Sequence, residues 1–161
     1  MTSFLRRRLW APLREILRQG LTPELLAASL AIGLALGVCP IIGLSTPLCV
    51  VVAQAARLNH PAMQLSNYLA SPVQVLLLIP FVRLGELLFR APRLPLTASQ
   101  FLAHIEADKL GTLRLFWTSA WHAVAAWAMV APVVAALLTL ALIPAVRRLD
   151  RWYRQQAGSR A

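Results

Sequence analysis

Residues 25–56 carry no Asp, Glu, Lys or Arg, yet the run is broken in its middle by Gly37-Val38-Cys39-Pro40-Ile41-Ile42-Gly43-Leu44-Ser45-Thr46-Pro47. One continuous helix of that length would measure about 48 Å, against a hydrocarbon layer of about 30 Å. The apolar halves, 25–38 and 47–56, would reach only about 21 and 15 Å, so neither crosses alone. The prolines and glycines between them free backbone N–H and C=O groups. At membrane depth such groups are tolerated only where protein or a water-filled cavity covers them. The pattern predicts a re-entrant, broken-helix hairpin over 21–58, its turn shaped by Gly37, Pro40, Gly43 and Pro47.

Residues 58–82 and 115–146 are also free of Asp, Glu, Lys and Arg. With 58% hydrophobic and 14% charged residues, the chain is too apolar for a soluble domain of this size. The expected fold class is therefore an all-α integral membrane protein. It combines the hairpin with two to three transmembrane helices and flanking amphipathic helices. The expected order is a basic interfacial helix over 1–20 and a membrane domain over 21–146, followed by a basic cytoplasmic tail over 147–161. Within the membrane domain the hairpin is followed by a second membrane segment at 61–90. An extracytoplasmic interfacial segment at 94–114 and a last transmembrane helix at 115–146 complete it.

The net charge of +10 belongs to arginines that flank the apolar runs. Anionic lipid at a bilayer surface explains that placement; nucleic acid does not. Leu5, Leu9, Leu13, Ile16 and Leu17 recur at helical spacing opposite Arg7, Arg14 and Arg18, as in an interfacial helix. The Arg6-Arg7-Arg8 run has no apolar core directly behind it, which argues against a cleaved export signal. Arg147, Arg148, Arg151, Arg154 and Arg160 make the other end basic. The positive-inside rule then puts both termini in the cytoplasm, with an even number of crossings. Parity holds whether the hairpin dips and returns or crosses twice. Pro132 and Pro144 predict a tilted or bent last helix.

Helix-start signals recur as Thr22-Pro23, Thr46-Pro47 and Ser71-Pro72, a hydroxyl residue before a proline at the first helical position. The second and third lead to Arg57-Leu58 and Arg83-Leu84. A degenerate internal repeat would explain this pattern, and so would chance use of common start signals. Helix starts at Thr46 and Ser71 would offer free N–H groups to an anion. Arg57 and Arg83 each directly follow an apolar run, where an arginine at membrane depth is usually functional or paired, and Arg83 can also meet Glu86 on its own helix. Together with Asn67, these residues form the candidate ligand set: Arg57, Arg83, Thr46, Ser71 and Asn67. Asn59, Gln54, Gln64 and Gln74 are further polar residues able to satisfy the broken backbone. Ser29, Gly33 and Gly37 recur every four residues and make a smooth face for close helix packing, within the chain or across a homo-oligomer seam.

No Ser/His/Asp set, intramembrane carboxylate pair or phosphate loop is present, so the sequence points to a non-enzyme with no catalytic residues. His104, Glu106 and Asp108 read as a solvated polar face, and Cys39 and Cys49 as small packing residues. No metal ligand set or cofactor is expected.

The ordered set Ala31-Ile32-Gly33, Gly37, Pro40-x-x-Gly43, Ser45-Thr46, Arg57-Leu58-Asn59, Asn67, Ser71-Pro72 and Arg83-Leu84-Gly85 resembles a bacterial membrane-protein family known as domain of unknown function 2062. The likeness covers residues 28–89. That family usually has Asn before the second proline, where this chain has Ser71. The resemblance implies a bacterial inner-membrane location. It also hints at envelope metabolism, since some relatives carry an attached glycosyltransferase domain. Two functions are expected from these features. One is a small carrier or translocator of an anionic small molecule or lipid-linked phosphate. The other is a non-transporting scaffold for an envelope partner such as a glycosyltransferase.

Overall fold

The structure is a computed structural model and describes residues 22–94, 106 and 108–158. The expected interfacial helix over 1–20 and most of the 94–114 segment lie outside those residues. Four helices are described in order: α1 (Pro23–Gly37), α2 (Ser45–Ala55), α3 (His60–Leu88) and α4 (Lys109–Gly158). Among the described residues there is no strand.

Helix α1 begins as the sequence predicts. Thr22 is its N-cap and its hydroxyl accepts from Leu25 N at 3.3 Å, with Pro23 at the first position. It stops at Gly37, where Cys39 N turns back to Leu36 O at 3.1 Å. Pro40 follows, and a residue before proline is disfavoured in the helical region. Gly43 sits at φ +90 in the turn, a conformation that side-chain-bearing residues rarely adopt.

The other two proline start signals behave differently. Helix α2 is capped by Leu44 without a side-chain hydrogen bond, so Thr46 lies inside the first turn and is not the cap. Ser71-Pro72 starts nothing, because Pro72 and Pro80 both lie inside α3. The true start of α3 is Asn59, whose Oδ1 accepts from Ala62 N at 2.8 Å, with Pro61 close behind. Burial against neighbouring helices outweighs the bonds lost at two prolines.

Both α2 and α3 end in the same device. Leu58 N reaches Ala53 O at 2.9 Å and Arg57 N reaches Gln54 O, with Arg57 at φ 52. Ala91 N likewise reaches Glu86 O at 3.0 Å and Arg90 N reaches Leu87 O, with Arg90 at φ 51. These are two Schellman endings with arginine in the left-handed position that glycine usually takes. Arg57 therefore corresponds in role to Arg90 and not to Arg83, which lies within α3. The internal-repeat reading finds no structural counterpart.

Asp108 caps α4, accepting from Gly111 N at 2.9 Å through its side chain. Lys109–Arg114, expected in an interfacial segment, are thus the first turns of α4, and the basic tail continues the same helix to Gly158. Pro132 and Pro144 are carried inside it.

The centre of the molecule is α1, which packs against α3 on one side and α4 on the other, while α2 rests on α3 and α1. A helix apolar on every face belongs in the middle. The stripe Ser29, Gly33, Gly37 faces α3. A Cβ on Gly33 would fall 2.9 Å from Met63 Cα, and one on Gly37 would fall 2.7 Å from Ala70 Cβ. Ser29 Oγ accepts from Asn59 N at 2.9 Å. The small-residue seam is therefore filled within the chain and is not free for a homo-oligomer.

Among the described residues, two helices are long and apolar enough to cross a membrane: α3, and α4 from Lys109 to Trp152. In their most apolar 18-residue windows only 22% and 6% of residues are buried. The core helix of a soluble protein would be mostly buried instead. Large apolar residues such as Leu76, Val75, Leu137 and Leu140 face outward.

Candidate functional site

The break between α1 and α2 leaves backbone carbonyls that no helix can satisfy. Two side chains from distant parts of the chain supply the donors. Trp127 Nε1 of α4 donates to Ala35 O at 3.0 Å, and Gln74 Nε2 of α3 donates to Cys39 O at 2.7 Å. Ala35, Cys39, Phe81, Ala123, Trp127 and Ala131 form the buried cluster around these bonds. Gln74 was expected to serve the broken backbone in this manner. Trp127 was missed, although its position deep in an apolar helix, away from Trp117, Trp121 and Trp152 near the ends, was a usable signal.

Beside this junction lies an uncharged polar cluster. Thr46 Oγ1 accepts from Gln64 Nε2 at 3.4 Å and from Asn67 Nδ2 at 3.5 Å. Ser45 and Asn67 are buried, Asn67 to 3% exposure. Gln64 Oε1 and Asn67 Oδ1 are shielded and have no hydrogen-bond partner. Buried polar atoms in that condition are unusual and lack a hydrogen bond that water or another polar group would supply. At the start of α2 the N–H groups of Ser45 and Thr46 have no intrahelical acceptor and no side-chain cap, and Pro47 has no N–H.

The five candidate ligand residues separate. Thr46 and Asn67 come together. Ser71 is exposed in the middle of α3. Arg57 lies at the far end of α2, about 16 Å along the helix from Thr46. Arg83 lies about 24 Å along α3 from Asn67, paired with Glu86 at 2.7 Å. Glu86 is 5% exposed and its other oxygen accepts from Leu94 N at 2.6 Å, so the pair fastens the start of the α3–α4 connection.

The hairpin-shaping residues divide similarly. Gly37, Pro40 and Gly43 form the turn, whereas Pro47 lies inside α2. Cys39 and Cys49 are free and buried. His122 stacks on Phe89 with ring centroids 4.5 Å apart, at the point where Gly85 meets the His122 backbone.

This arrangement defines a class: an all-helical protein with two long, outwardly apolar helices and a short broken-helix pair whose carbonyls are capped from both sides. The chain belongs to the bacterial family described as "Uncharacterized protein conserved in bacteria (DUF2062)", whose model matches residues 6–158. The match extends well beyond residues 28–89 and takes in α4 with Trp127. Comparison with curated proteins and with solved structures gives no match.

Proposed function

We propose that this is a multi-pass protein of the bacterial inner membrane in which α1 and α2 form a re-entrant hairpin, and that it works as a small carrier. The observation behind the hairpin reading is one of level. Ser29 bonds to Asn59 at the start of α3, while Gly37 packs on Ala70 and Cys39 O bonds to Gln74. The turn therefore stands beside the middle of a 29-residue helix, about 43 Å long. A hairpin reaching only that far dips and returns.

The Glu24–Arg147 ion pair, at 2.8 Å, brings the start of α1 and the last third of α4 to one end of the molecule. That supports both termini on the cytoplasmic side, together with the basic residues gathered there. Half-helices meeting at a polar midplane site are the construction many transporters use. The cluster of Thr46, Gln64 and Asn67, with the uncapped start of α2, is the site we assign. The uncapped N–H groups of Ser45 and Thr46 suit an anionic or phosphate-bearing ligand. Arg83, held by Glu86, and Arg57, held in a helix ending, serve structure and topology. No catalytic group enters this reading.

The test is a single cysteine at Ser45 in a Cys39→Ala, Cys49→Ala background, probed in oriented vesicles with thiol reagents that do not cross membranes. Labelling from both sides supports a site with alternating access. Protection from both sides overturns the carrier reading and leaves a non-transporting scaffold for an envelope partner.

A further inference from the structure

Gln64, Tyr68, Ser71 and Val75 follow one another at intervals of four, three and four residues, so they line one face of α3. This face is open. Tyr68 is 61% and Val75 62% exposed, and Ser71 is exposed between them. Among the described residues, neither hydroxyl has a hydrogen-bond partner. Pro72 has no N–H to give the Tyr68 carbonyl four residues back, so that acceptor is released on the same face.

On the membrane reading above, these groups lie about 12–17 Å along α3 from its start, inside the hydrocarbon layer. Lipid chains offer no hydrogen bonds, and polar groups facing them are costly. A partner surface that covers this stripe must present polar groups at the same depth. A second copy inserted in the same orientation does so automatically, since a two-fold axis along the membrane normal sets each residue beside its own equivalent. The stripe is also self-complementary. Its two hydroxyls donate and accept, while the Tyr68 carbonyl only accepts. No Asp, Glu, Lys or Arg occurs in 58–82, so two copies meet without like-charge repulsion.

We propose that two copies of this chain pair through the Gln64–Tyr68–Ser71–Val75 face of α3. Polar side chains can hydrogen-bond between membrane helices, as Ser29 Oγ does with Asn59 N inside this fold. The pairing also closes the lipid-facing side of the Thr46–Gln64–Asn67 cluster. The seam first expected at Ser29, Gly33 and Gly37 is thus transferred to α3.

The test is oxidative cross-linking in native membranes, again without Cys39 and Cys49, of single cysteines at Ser71 and, on α4, at Leu137, which is 62% exposed. Ser71→Cys is expected to give a species of twice the 17.7 kDa chain mass, and Leu137→Cys to stay monomeric. A monomeric Ser71→Cys, a product of another mass, or equal cross-linking at Leu137 overturns the pairing. Alkaline extraction separates the two claims. A chain released from the membrane overturns the membrane reading itself, whereas a retained chain with monomeric Ser71→Cys overturns only the pairing.

Discussion

The indole N–H of Trp127 donates to the carbonyl of Ala35 at 3.0 Å, across 92 residues of sequence. The bond ties the last turn of a half-helix to the middle of the longest helix. With Gln74 bonded to Cys39 O at 2.7 Å, it explains how a chain can interrupt a helix away from water.

Trp127→Phe keeps an aromatic ring, though a smaller one, and removes the donor. The stranded Ala35 carbonyl is expected to cost about 1–3 kcal/mol, the penalty for a buried acceptor without a partner. Thermal unfolding in mild detergent measures it. Gln74→Leu is expected to lose a similar amount at Cys39, and unchanged melting in both variants would contradict the capping account.

Gly33→Ala separates packing from propensity. Alanine favours helix over glycine by about 0.8–1.0 kcal/mol, yet the new Cβ would meet the backbone of Met63. A backbone neighbour cannot swing aside, so a net loss of about 1 kcal/mol or more is expected from overpacking. Gly43→Ala fails for another reason: its Cβ would meet open space, but φ is +90. Gly43→Asn is expected to be tolerated better than Gly43→Ala, since asparagine enters left-handed conformations more readily.

Arg57→Gly tests whether Arg57 is a binding residue or only ends α2. Glycine relieves the left-handed strain at φ 52, and a gain of about 0.5–1 kcal/mol is expected. A loss of stability would show that the arginine side chain holds something this account does not include.

Glu86 carries two bonds, to Arg83 and to Leu94 N. Glu86→Gln keeps an acceptor for Leu94 N, whereas Glu86→Leu leaves both donors unpaired. Trypsin cleavage after Arg90 and Arg93 is expected to quicken modestly in the first variant and strongly in the second. Equal rates in both would contradict the fastening role.

The sequence makes the broken hairpin legible because its signals are local: an uncharged run, Pro40, Gly43 and the Thr22-Pro23 start. The small-residue stripe was legible as a packing face for the same reason. Thr46-Pro47 and Ser71-Pro72 misled because start signals compete with burial, and tertiary contact carries α3 through Pro72. The site was half legible. Thr46 and Asn67 meet, but the distances of Arg57 and Arg83 from them follow from helix endings and lengths that residue types alone do not fix. Trp127 required knowing that α4 packs on α1, a contact between residues 92 apart.

The central claim is that the hairpin turn stands at mid-depth. Nitroxide labels at Ile42 in the turn, Val73 in mid-α3 and Arg90 past the end of α3 test it by their relative accessibility to oxygen and to a water-soluble nickel chelate. Ile42 is 74% exposed and Val73 45%, so labels fit at both. The account predicts that the depth of Ile42 matches Val73 near the bilayer centre. A depth for Ile42 equal to that of Arg90, at the surface, would mean that the hairpin crosses the membrane twice and would contradict it.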